Sequence, residues 1–121
     1  MERNLEIMRE LLLSVEQEKH HHSESLHKYP QKDVAYNAQL LIDGGYVVGR
    51  VTYSAMSTGR SEPITYHISR LTLSGHDFLD ASKDKDIWDK SQQRLKKVAS
   101  WTLPIVLEVM KDEVKKQLGL P

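Results

Sequence analysis

Three groups of residues in this chain are of types that can do chemistry. They are the run GHDFLD with His76, Asp77 and Asp80, the triplet His20, His21 and His22 with His27 nearby, and the arginines Arg50, Arg60 and Arg70 around two strand-like segments. An imidazole beside carboxylates suits acid and base work. Neighbours on a helix point in different directions, however, and no nucleophile with a base at a recognisable spacing accompanies them. The run therefore reads as structure, with His76 packed and bonded to backbone, and no catalytic residue is assigned. Four histidines suggest a transition-metal site, but consecutive side chains seldom converge on one ion, and carboxylate or cysteine partners at ligand spacing are missing. They read as a loop, so neither a metal site nor a cofactor is expected. The arginines suit phosphate, because only Glu62 opposes them; Arg60, at the tip between the segments, is the best single candidate. Sparse arginines also keep an exposed hairpin soluble and discourage edge pairing.

The elements that must carry these residues follow from periodicity. Residues 2 to 18 place Leu5, Met8, Leu11, Leu12 and Val15 at helical spacing, with acidic residues early. The stretch KHHHSESLHKYP has no period and predicts a loop with a short strand over 26 to 29, ended by Pro30. A second helix runs over 31 to 43 with Val34, Ala38, Leu41 and Ile42 inward, and Gly44 with Gly45 stops it through a left-handed cap. YVVGRVTY and ITYHISRL, rich in β-branched and aromatic residues, form a hairpin over 46 to 53 and 64 to 71, with SAMSTGRSEP between them.

After the hairpin, Leu71 enters the core and Thr72 caps a helix to Ser82 that turns Phe78 and Leu79 inward, while Gly75 permits a close backbone approach. Asp84 or Asp86 caps a further helix to about Ser100, with Ile87, Trp88, Leu95 and Val98 on its apolar side. Lys90, Arg94, Lys96 and Lys97 lie outside as a solvated or anion-contacting face. Thr102 and Pro104 open a last helix over 103 to 118, striped by Leu103, Val106, Leu107, Met110, Val114 and Leu118 and closed by Gly119 and Leu120. Ile105 and Val109 sit off that stripe and widen it, as a homodimer seam or a fully packed monomer would require. Trp88 and Trp101 read as core aromatics.

Size and composition set limits on function. The chain has 121 residues, no cysteine, and 17 basic against 17 acidic side chains. One compact unit is expected, divided into a core over 1–82 and a C-terminal helical extension over 83–121 packed on the same domain. Disulfides and thiol chemistry are excluded. No apolar run approaches the length of a membrane span and Met1 opens a charged amphipathic segment, so a cytoplasmic protein with no membrane partner is expected. Zero net charge leaves no global field to draw the molecule onto nucleic acid, so any such binding needs a local patch.

Helix, helix, two-stranded wing and three further helices make an α+β, mainly α, winged-helix arrangement. RNLEIMRELLLSVE, AYNAQLLIDGGYVVG, LTLSGHDFLDASKDKDIW and KKQLGL together cover nearly the whole chain. In these runs the sequence resembles a bacterial and phage family known as domain of unknown function 2513. The resemblance implies a winged helix and no mechanism. One residue departs from the pattern: Asn37 stands where the resemblance implies a histidine, which argues against a functional histidine on that helix.

Winged helices serve DNA binding and protein docking alike. In the first case the helix before the wing enters the major groove and the wing holds backbone. The outward side of residues 31 to 43 then offers Lys32 to phosphate and Asn37 to adenine, beside Gln31, Tyr36 and Leu40, although Asp33 and Asp43 oppose Lys32. DNA-binding candidates are thus Lys32, Tyr36, Asn37, Arg50, Arg60 and Arg70, in a dimeric regulator of double-stranded DNA of bacterial or prophage origin. In the second case Tyr36 and Leu40, with Ile105 and Val109, meet a protein partner. The charge balance of the second helix favours this alternative and the wing arginines favour the first.

Overall fold

The computed structural model describes residues 2–17, 26–53 and 63–121. His20, His21 and His22, and Arg60 at the hairpin tip, lie outside the described residues. Within them the fold is α+β and mainly helical. Its five helices and one antiparallel pair of strands run in the order α1 (Leu5–Glu16), α2 (Gln31–Asp43), β1 (Val47–Tyr53), β2 (Pro63–Leu71), α3 (Leu73–Ser82), α4 (Lys85–Leu95) and α5 (Leu103–Gln117). The chain divides into two units, Met1–His76 and Asp77–Pro121.

In the first unit α1 begins at Leu5 rather than at residue 2, because the Asn4 side chain accepts a hydrogen bond from the Ile7 N–H at 3.1 Å and so caps the helix there. Its buried face is wider than the spacing implied: Ile7 joins Leu5, Met8, Leu11 and Leu12, while Val15 is only half-buried. Residues 26 to 29 form a turn and not a strand. The Tyr29 N–H reaches back to the Leu26 carbonyl at 3.1 Å, and Leu26 is buried. Val34, Ala35, Ala38 and Leu41 of α2 are buried, with Ile42 half-buried at the edge of that face. The helix closes as expected. Gly45 takes φ +79°, its N–H bonds the Ile42 carbonyl at 3.1 Å, and the Tyr46 N–H bonds the Leu41 carbonyl at 2.9 Å, which satisfies two carbonyls the helix would leave open.

The junction at the other end of the hairpin returns to this turn. Thr72 donates its N–H to the Tyr46 carbonyl at 3.0 Å and its hydroxyl to the Gly45 carbonyl at 2.6 Å, and it accepts the Gly75 N–H at 3.1 Å as the cap of α3. So close is the approach that a Cβ added to Gly75 would collide with the Tyr46 carbonyl oxygen. A single threonine and a single glycine thus bind the entry to the hairpin to its exit.

In the second unit α4 packs on α5. Asp84 caps α4 by accepting the Ile87 N–H at 3.1 Å, and Thr102 caps α5 by accepting from Ile105 at 3.4 Å. Phe78, Leu79, Ile87, Trp88, Leu95, Val106 and Met110 are buried, and Trp101 is half-buried. α4 ends at Leu95, earlier than its pattern suggests. Lys97 and Val98 donate to carbonyls three residues back, Arg94 and Leu95, and this tightening turns Val98 off the apolar stripe to 53% exposure. α5 closes at Gly119 with the same bonding as α2, but Leu118 and Leu120 both stay exposed instead of extending the stripe.

Candidate functional site

The hairpin sorts its side chains by strand alternation. Val47, Gly49 and Val51 pair with Leu71, Ile68 and Tyr66 on the face that is buried or half-buried. Val48, Arg50 and Thr52 pair with Arg70, His67 and Thr65 on the opposite face, and all six are exposed. β2 has nine residues against seven in β1. The difference is absorbed by two register shifts, one of which leaves Ser69 between the Val48 and Gly49 pairings. That shift keeps Arg70 on the outer face although it follows His67 by an odd number of residues.

The two faces differ in electrostatics as well as in burial. On the inner face, desolvation pushes the Tyr66 hydroxyl up to about 12. Tyr53 at the strand end accepts the Gln39 amide of α2 at 2.7 Å. On the outer face Arg50, Arg70 and His67 share a surface with hydroxyls, and neither strand contains a carboxylate. Arg70 bends back to the Leu71 carbonyl at 3.4 Å, a long contact that leaves most of its fork toward solvent. Arg50 and Arg70 were legible in the sequence as hairpin residues; His67, Thr52 and Thr65, exposed on the same face, were not singled out. The signal for them was the same alternation that places Arg50, since His67 stands directly opposite it.

The outward surface of α2 needs one correction. Asn37 is fully buried, not available to a base edge. Its Oδ1 accepts the Asn4 N–H at 2.8 Å, and its Nδ2 donates to the Glu2 carbonyl at 3.2 Å and the Asp33 carbonyl at 2.9 Å. Three residues after Val34 and four before Leu41, it lies on the inward stripe, where a polar group survives by bonding backbone. Tyr36 and Leu40 are half-buried, and Lys32 is exposed between Gln31 and the half-buried Asp33. The structure does not bring Lys32 and Asn37 together as a reading surface.

His76 is exposed rather than packed. Asp80 pairs with Lys83 at 3.4 Å. The lysine and arginine face of α4 is largely offset by acids. Lys90 meets Asp86 at 3.1 Å, a hydrogen bond that raises the lysine pKa. Arg94 joins Asp112 at 2.8 Å and Glu113 at 3.0 Å of α5. That contact raises the arginine further and lowers the Asp112 carboxyl, with the hydrogen bond as the leading cause in both. Only Lys96 and Lys97 of the four remain simply exposed. Ile105 is 49% exposed and Val109 half-buried, so the structure leaves an apolar edge on α5. Among the described residues no group of three His, Cys, Asp or Glu is placed to hold a metal ion, and no helix is long and apolar enough to cross a membrane.

Comparison with family models bears out the family for three of the runs that carried the resemblance, while KKQLGL lies beyond the matched residues. Residues 2–102 match the model described as hypothetical protein (DUF2513), and the chain belongs to that family. No curated protein and no solved structure matches the chain.

Proposed function

We propose that this chain is a non-enzymatic winged-helix protein that binds double-stranded DNA, holding its sugar-phosphate backbone with the outer face of the β1–β2 hairpin. The observation that carries this reading is the exposed face bearing Arg50, His67 and Arg70 on strands that contain no carboxylate. A local cationic face of this kind is what a chain of zero net charge needs to meet a polyanion. The order of α1, α2, hairpin and α3 supports the winged-helix part of the reading. Burial of Asn37 removes the best base reader from α2, so the reading assigns affinity to phosphate contacts and little sequence preference to the helix.

Fluorescence anisotropy with a labelled mixed-sequence duplex, over a salt series, tests it. The expected result is binding at low salt that weakens steeply as salt rises and is lost in Arg50→Glu/Arg70→Glu. No binding of the native chain at low salt would overturn the reading.

A second reading, a protein-docking module without DNA, has its own support in Ile105, Leu118 and Leu120, all exposed on or just after α5. It predicts a dimer or a hetero-complex that Ile105→Asp disrupts. Light scattering across a concentration series separates these cases.

A further inference from the structure

We infer that the outer hairpin face is a three-rung ladder that lies lengthwise along one strand of duplex DNA and hydrogen-bonds three successive phosphates. This deepens the phosphate-binding reading and rests on it. The rungs are given by the strand register: Val48 opposite Arg70, Arg50 opposite His67, and Thr52 opposite Thr65. Ser69, the residue bulged out beside the first rung, is exposed too. The first rung therefore offers a guanidinium and a hydroxyl, the second a guanidinium and an imidazole, the third two hydroxyls. The second and third rungs each bring two donors to one place, because opposed side chains in an antiparallel pair start about 5 Å apart at Cβ; in the first, Val48 has no donor, and Arg70 has the exposed Ser69 beside it on the same strand.

Spacing and composition point to backbone rather than bases. Alternate residues along β1 are about 7 Å apart, close to the through-space distance between successive phosphorus atoms of one nucleic-acid backbone, and the bulge lets β2 keep step with them. Arg50 and Arg70 present forked donors suited to phosphate oxygens, and hydroxyls are common phosphate donors. A duplex is favoured over a single strand because the rungs hold one small ring, the His67 imidazole, and no Phe, Tyr or Trp, whereas unstacked bases bind chiefly on successive aromatic platforms. The charge gradient also has a direction. Cations occupy the end near α3 and neutral hydroxyls the end toward the tip.

The hydroxyl rung separates this inference from the broader reading. Thr52→Val/Thr65→Val keeps side-chain shape and strand propensity while removing both hydroxyls. Using the full chain, anisotropy with a mixed-sequence duplex and with a single strand of equal length is measured over salt, and thermal melts confirm that each variant is folded. The ladder predicts that the threonine pair raises Kd about tenfold with the salt slope unchanged. It also predicts that Arg50→Gln and Arg70→Gln each reduce the slope by about 0.9. Native Kd in the folded threonine variant overturns the ladder while the arginine losses keep the broader reading. Tighter binding of the single strand overturns the choice of duplex, and absence of binding by the native chain overturns both.

Discussion

α2 and the hairpin that follows it are neighbours in sequence but use their polar side chains in opposite ways. α2 turns Asn37 inward and ties its carboxamide to the backbone of residues 2, 4 and 33, while Gln39 is held by Tyr53. The hairpin turns Arg50, His67 and Arg70 outward, and its polar edge meets solvent. The polar groups that α2 leaves exposed, Gln31, Lys32 and Asp43, carry no net charge between them. A strand pair separates its side chains by alternation, giving one face to packing and the other to solvent. The difference teaches that in this protein the element order associated with base reading does not by itself supply a reading surface.

The sharpest way to break the comparison is to remove the interior polar group. Asn37→Ala strips three hydrogen bonds and leaves a void, and is expected to cost about 3 kcal/mol in urea unfolding. If Asn37 serves the fold alone, duplex affinity of the variant that remains folded is unchanged at low temperature. A selective loss of binding with native stability would reverse the assignment of the two regions.

Next in size is the junction that holds the hairpin's exit to its entry. Gly75→Ala gains helix propensity worth up to about 1 kcal/mol but drives a methyl group into the Tyr46 carbonyl oxygen, so a net loss of roughly 1–2 kcal/mol is expected. Amide hydrogen exchange should report the change first at Tyr46 and Thr72. Uniform exchange across α2 and the hairpin, with no local focus, would contradict the junction's role.

The smallest effect sharpens the contrast between the hairpin's two faces. Burial raises the Tyr66 hydroxyl from 10.0 in the free side chain to about 12 in the fold, so the folded state holds that proton more tightly. Its contribution is fully present below pH 10.0 and is lost as pH rises toward about 12. Tyr66→Phe should flatten the alkaline fall in stability over that window, measured by chemical unfolding at stepped pH. Arg50→Gln, on the exposed face, should leave that fall as it is.

Much of this was legible in the chain. Both strands, α2 to the residue, the Thr72 cap, the Gly45 and Gly119 terminations and the buried Phe78 and Leu79 all follow from local rules, because caps and turns are decided by a few adjacent residues. The early end of α4 was not, since nothing local announces that Lys97 and Val98 will tighten their bonds to carbonyls three residues back. His76 was expected inside and lies outside, because a helix period says which residues share a face but a polar residue at its margin can fall on either side. The hydroxyl rung was hidden for a different reason. Register links residues of two strands, and the bulge at Ser69 shifts it where no periodicity count would place the shift.

The sequence by itself determined the order of the helices and strands, the ends of α2 and of the hairpin to within a residue, the absence of thiol chemistry, the balanced charge and the family. These rest on composition and on interactions spanning a few residues. Only the tertiary structure decided that Asn37 belongs to the interior and that Arg50, His67, Arg70 and the two threonines share one face. Both outcomes depend on which distant backbone lies opposite a side chain: the Asn4 N–H for the asparagine, the opposing strand for the hairpin residues. That pairing is fixed by packing across the fold and not by neighbours along the chain.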